Sequence, residues 1–138
     1  MRHLPTRRSR SDRGWTLIEL LVVLSLIMIL ASVAMNQYRL SIRTAEEATL
    51  KSNLYRMRDA IDQYFADKGN YPSSIQQLVS DGYLRAVPMD TITRSTDTWT
   101  TVPAEADPTR PSTDPGIYDV HSGSDGTALN GSRYADWD

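Results

Sequence analysis

From Trp15 to Met35 the chain reads W-T-L-I-E-L-L-V-V-L-S-L-I-M-I-L-A-S-V-A-M, an apolar run in which Glu19 is the one charged residue. At a rise of about 1.5 Å per residue, such a helix covers roughly the 30 Å hydrocarbon core of a bilayer, so the run can span a membrane. An ionised side chain inside that core costs about 3 kcal/mol unless it is paired or kept near the interface. Glu19 therefore calls for a partner. Arg2, Arg7, Arg8, Arg10 and Arg13 all precede the run. By the positive-inside tendency this basic segment stays cytoplasmic and the C-terminal part is sent outward.

Gly14, then Trp15, then T-L-I-E-L-L-V-V-L behind a basic leader resembles the class III signal of type IV pilins and type II secretion pseudopilins. The resemblance implies that a prepilin peptidase cuts between Gly14 and Trp15 and methylates the new amine, which makes Glu19 the fifth residue of the mature chain. In that family this acid neutralises the amine of a neighbouring subunit as subunits enter the filament. Trp15 stands where phenylalanine is commonest, and Met28 and Asn36 stand where a glycine and a helix-kinking proline often occur. An ordinary secretory signal cut near Ala34, or an uncleaved signal anchor, also fits a basic segment followed by an apolar one. Neither accounts for Gly14 beside an aromatic residue or for the position of Glu19.

The chain has 138 residues, and the cut would leave enough for one small domain on one long helix but no second catalytic domain. Removing residues 1–14 lowers Lys plus Arg from 15 to 10 and Asp plus Glu from 17 to 16, a side-chain charge of −6. So acidic a product argues against a nucleic-acid partner, because phosphate binding is driven by clustered cations. There is no cysteine. Disulfides are thereby excluded as a staple for a small core, and a metal or neighbouring subunits become more attractive. The major pseudopilins, the G class of type II secretion, are similar in lacking the disulfide that closes many type IV pilins.

Beyond the apolar run, Leu50, Leu54, Met57, Ile61 and Tyr64 or Phe65 recur at steps of three and four, while Lys51, Arg58, Asp59, Asp62 and Lys68 lie largely off that stripe. Neither proline nor glycine interrupts residues 15–68, so one helix of roughly 80 Å is the economical reading, closed by Gly69. Its stripe is expected to pack under the chain's own C-terminal domain. Gly69-Asn70-Tyr71-Pro72 breaks the helix, and Ser73-Ser74-Ile75-Gln76 has the form of an N-cap with a reciprocal Gln, predicting a short helix to about Val79. Thr98–Val102 and Ile117–Val120 are the strand candidates, expected to pair antiparallel around a proline-rich loop over 103–116. The order of long helix, G-N-Y-P, short helix, G-Y-L and V-P-M-D again resembles the major pseudopilin class.

The segment His121–Gly131 is dense in oxygen-bearing side chains and turn residues, a composition shared by calcium loops and by ordinary Asx and glycine turns. Asp125-Gly126 falls where the S-x-x-D-G segment of calcium-binding major pseudopilins would lie, so the resemblance implies calcium as a cofactor, with Asp125 and Asn130 as candidate ligands. Catalytic constellations are missing: there are two histidines, no P-loop, and neither G-x-S-x-G nor H-E-x-x-H. An enzyme is not expected.

The expected fold is α+β and pilin-like. Residues 1–14 form a cleaved leader, 15–68 a long helix with 15–35 as its membrane-spanning or filament-core part, and 69–138 a small extracytoplasmic domain with a short antiparallel sheet. The resemblance implies a structural subunit of a helical filament assembled from the inner membrane. It would be a single-pass protein with its N-terminus cytoplasmic before assembly and its filament in the periplasm or on the cell surface. The implied partners are further copies of the chain, a prepilin peptidase, an inner-membrane assembly platform, and minor pseudopilins or pilins. A type IV pilus or related surface-filament subunit is the alternative within the family. A membrane-anchored or secreted binding module that never polymerises is the alternative outside it.

Overall fold

The computed structural model of the chain describes residues 12–106, 108, 109 and 114–138, with side chains from Trp15 onward. Most of the expected leader and part of the proline-rich loop lie outside the described residues. Helix α1 covers Asp12–Lys68, α2 covers Ile75–Ser80, β1 covers Thr100–Pro103 and β2 covers Ile117–His121, and a 3₁₀ turn follows at Tyr134–Asp136. The helix thus begins ahead of Trp15, since one glycine at position 14 costs only about 1 kcal/mol in a helix and does not stop it. It stops at Lys68, where Gly69 takes φ 72° and its N–H donates to the Phe65 carbonyl at 2.8 Å.

Two compact units divide the chain, Met1–Ser41 and Ile42–Asp138, and α1 contributes to both. Burial along the helix begins at Leu50, with Glu46 and Glu47 half-buried just ahead of it. In the second unit the stripe expected from periodicity is buried: Leu50, Leu54, Met57, Ala60, Ile61 and Tyr64 join Ile75, Leu78, Trp99, Ile117, Val120, Tyr134 and Trp137 in one core. Burying each large apolar side chain contributes about 2 kcal/mol. Of the two aromatic residues left open by the pattern, Tyr64 enters the core, whereas Phe65 stacks on Tyr71 with ring centroids 4.4 Å apart.

Helix α2 starts one residue later than the sequence suggests. Ser74, in extended backbone, is the N-cap, and its hydroxyl accepts from the Gln77 N–H at 3.2 Å. Gln77, not Gln76, is the reciprocal residue, taking the Ser73 N–H on its Oε1 at 2.8 Å. Pro72 lends its carbonyl to the Ile117 N–H at 2.8 Å, which holds the chain extended up to the serines.

The sheet is a two-stranded antiparallel ribbon, with Thr100 opposite His121, Thr101 opposite Val120 and Val102 opposite Asp119. Strand β1 starts at Thr100, two residues later than expected. The Trp99 indole N–H donates to the Pro88 carbonyl at 2.8 Å, and Gly123 lies against Thr98 so closely that a Cβ there would sit 1.8 Å from the Thr98 carbonyl oxygen. These two contacts take Thr98 and Trp99 out of the ladder.

Candidate functional site

Composition makes the first half of α1 apolar on every face, and the structure leaves every face open. Trp15 is 74% exposed, Met28 72% and Leu30 69%, with Leu17, Ile18, Leu20, Leu21 and their neighbours to Met35 exposed as well. In water this surface would be very costly, about 25 cal/mol for each Å². It demands lipid or other apolar helices. The helix is the one described element long and apolar enough to cross a membrane, with a mean hydropathy of 2.7 and none of its apolar window buried. The hydroxyls within the run turn back on their own backbone. Ser25 donates to the Leu21 carbonyl and Ser32 to the Ile29 carbonyl, both at 2.7 Å, so neither presents an unpaired polar group to an apolar surrounding.

Glu19 is exposed and has no hydrogen bond or ion pair among the described residues. Its carboxylate is thus the unsatisfied polar group of an otherwise satisfied apolar surface. Gly14 lies within the backbone of α1, with Trp15 directly after it. Residues 20–49, about eight helical turns, lie between Glu19 and Leu50, the first residue of the buried stripe.

The prokaryotic N-terminal methylation motif matches residues 9–35, a span that contains Gly14, Trp15 and Glu19. The type II secretion system core protein G of Klebsiella pneumoniae is 30% identical over 95 residues, which cover 57% of this chain and 68% of that protein. The protein of the same name from Pseudomonas aeruginosa is 30% identical over 97 residues, 59% of this chain and 68% of the relative. The chain belongs to the type II secretion system core protein G family. A fimbrial protein of Eikenella corrodens, EcpC, is also similar, at 31% identity over 81 residues, 55% of this chain and 53% of that protein. No solved structure matches the chain significantly. The fold and these relatives make this core protein G homologue a pilin-like structural subunit, and its exposed apolar helix fits anchoring in a membrane.

The tail of this core protein G homologue is bound to α1 by a row of charged side chains, of which Lys51 and Arg58 are the two that the sequence pattern set off the apolar stripe. The Arg43 guanidinium donates to the Thr127 carbonyl at 2.8 Å. One turn on, Glu47 Oε1 accepts from the Leu129 N–H at 2.9 Å and from the Tyr134 hydroxyl at 2.8 Å. Lys51 Nζ lies 4.7 Å from the centre of the Trp137 ring, a cation–π contact. Arg58 then makes three bonds, to Asp119 at 2.6 Å and to the carbonyls of Val120 at 2.9 Å and Trp137 at 2.8 Å. Burial pushes the Tyr134 hydroxyl above its ordinary range, the Arg43 hydrogen bond opposes that rise, and the Glu47 bond adds to it.

Asp125 and Asn130, the candidate calcium ligands, are both exposed in this tail. Asp125 makes no hydrogen bond or ion pair among the described residues. The Asn130 carboxamide oxygen, by contrast, already accepts from the Ser132 N–H at 3.0 Å and the Ser132 hydroxyl at 2.7 Å. Among the described residues no three His, Cys, Asp or Glu side chains stand together. From side chains, then, the two candidates offer one free carboxylate and one amide oxygen that already accepts two hydrogen bonds.

Proposed function

We propose that this chain is the shaft-type structural subunit of a helical type II secretion filament, released from its leader between Gly14 and Trp15. The observation that carries the reading is the unpartnered Glu19 on an exposed apolar helix that leads into a folded domain. Cleavage would create a positive amine on Trp15, four positions from that carboxylate. In an apolar setting two isolated charges are each expensive, so an arrangement that brings an amine to Glu19 gains far more than it would in water. An amine brought by an incoming copy couples charge neutralisation to assembly. Exposed apolar side chains on all faces suit a helix surrounded by its own kind once it leaves lipid.

The prepilin peptidase, an inner-membrane assembly platform and minor pseudopilins are the partners this reading requires. A cytoplasmic N-terminus before assembly and a periplasmic filament afterwards are its topology. The similarity to a fimbrial protein supports a second reading, a surface pilus built from the same parts. Mass spectrometry of the N-terminal peptide tests the processing step, and a terminus at Trp15 is expected. A terminus at Met35 or an intact Met1 would defeat it. Glu19→Ala is expected to leave Gly14 cleavage and the domain beyond Gly69 intact while abolishing or strongly reducing sheared filaments seen by electron microscopy. Normal filament yield from the cleaved variant would show the carboxylate to be dispensable.

A further inference from the structure

We infer that the tail loop over residues 124–134 is held in place without calcium, the Arg43 guanidinium and the Glu47 carboxylate doing from the helix what a bound cation would do from within the loop. The oxygens a cation would need already have partners. Thr127 gives its carbonyl to Arg43, Ser132 gives its carbonyl to the Ala128 N–H at 2.8 Å, and Ala128 gives its own to Gly131 at 2.9 Å. Gly126 gives its carbonyl to the Tyr134 N–H at 3.2 Å, and the Ser124 hydroxyl oxygen accepts from the Gly126 N–H at 3.1 Å. Asn130 is occupied by Ser132 twice over. A calcium ion would have to share these oxygens with the donors that already hold them, with Asp125 as the loop's one uncommitted carboxylate.

Arg43 and Glu47 are four residues apart on α1 and therefore share a face, one presenting donors and the other an acceptor. Between them they bind a carbonyl, an N–H and a hydroxyl of the loop, at Thr127, Leu129 and Tyr134. The guanidinium also lies in a field that favours its charge, from Tyr134 first and then from Glu47 and Glu46. A fixed cation and a fixed anion thus grip the loop at both polarities. A free ion offers only one.

Melting and hydrogen exchange of the full chain in detergent micelles, with chelator or with excess calcium, test the inference. The native chain is expected to melt identically in both solutions. Arg43→Ala and Glu47→Ala are expected to speed exchange of the Leu129 amide by roughly tenfold in both, as loss of one to two hydrogen bonds would. Glu47→Gln, which keeps an oxygen for the Leu129 N–H and the Tyr134 hydroxyl, is expected to retain most of the protection. A native melting temperature that rises with calcium concentration would overturn the inference, because only an ion bound to the folded state stabilises by mass action. So would unchanged Leu129 protection in both alanine variants.

Discussion

Helix α1 uses its apolar residues in two opposite ways. Before Ser41 they cover every face and stay exposed, whereas from Leu50 to Tyr64 most of them fall on one buried stripe, Tyr55 being the exposed exception. The backbone is the same α-helix in both halves. What differs is whether charged residues occupy the other faces: Glu19 alone interrupts the first half up to Met35, while Glu46, Glu47, Lys51, Arg56, Arg58, Asp59 and Asp62 fill the second. A helix that is apolar all round needs an apolar surrounding, and one with a stripe needs only a partner on one side. The contrast is therefore between a surface meant for other molecules and a surface meant for the chain itself.

The sharpest way to break that contrast is to truncate one residue from each half. Met57→Ala in the buried stripe is expected to cost about 3 kcal/mol, a fall of roughly 15 °C in the domain's melting temperature. Leu24→Ala in the exposed run should leave that temperature unchanged in detergent. Equal shifts would mean that the two halves do not behave separately. A smaller effect, about 2 kcal/mol, is expected for Arg58→Ala, which removes the guanidinium's bonds to the Asp119 carboxylate and to the carbonyls of Val120 and Trp137. Urea unfolding followed by tryptophan fluorescence measures it. A cost near zero would return Arg58 to the solvated face on which its spacing placed it.

Loss of the N-cap in Ser74→Ala is expected to cost about 1 kcal/mol, and Ser73→Ala less, since the Ser73 hydroxyl bonds only the Gln77 side chain. The reverse order would put the cap where the sequence pattern first suggested. The smallest effect is on pH dependence. Tyr134 keeps its proton to higher pH in the folded chain than in the unfolded one. Its stabilising contribution is thus complete below about pH 10, where a free tyrosine titrates, and is lost as the pH rises further. Tyr134→Phe is expected to flatten the alkaline limb of a stability profile; Tyr83, raised by its bond to Asp67, would leave a residual slope.

Periodicity made the helix legible because burial in α1 is decided by residues three and four apart, all local in sequence. The strands were legible for a similar reason, though their ends were not: Thr98 and Trp99 have strand-forming side chains, and only the approach of Gly123 and the Pro88 carbonyl removes them. The cap of α2 slipped by one residue because S-S-I-Q-Q fits two registers, and the choice lies with Pro72 and its bond to Ile117, 45 positions away. Least legible was the row Arg43, Glu47, Lys51 and Arg58. Their spacing describes a solvated face equally well, and their true partners lie 61 to 87 residues on for the hydrogen-bonded members. Glu19 was legible at once, since a lone charge in an apolar run needs no distant residue to be conspicuous.

The close approach of Gly123 to Thr98 has a consequence for how this domain can vary. Position 123 is not a matter of backbone angle but of vacancy: any side chain, however small, begins with a carbon that would overlap the Thr98 carbonyl oxygen. The glycines at 69, 82 and 131 have open space around them and ask only for a left-handed residue, a demand that asparagine can meet. In a saturation library the three should accept a narrow set of replacements, while 123 should return a single surviving codon family, marking where two segments of the chain are pressed together with nothing between them.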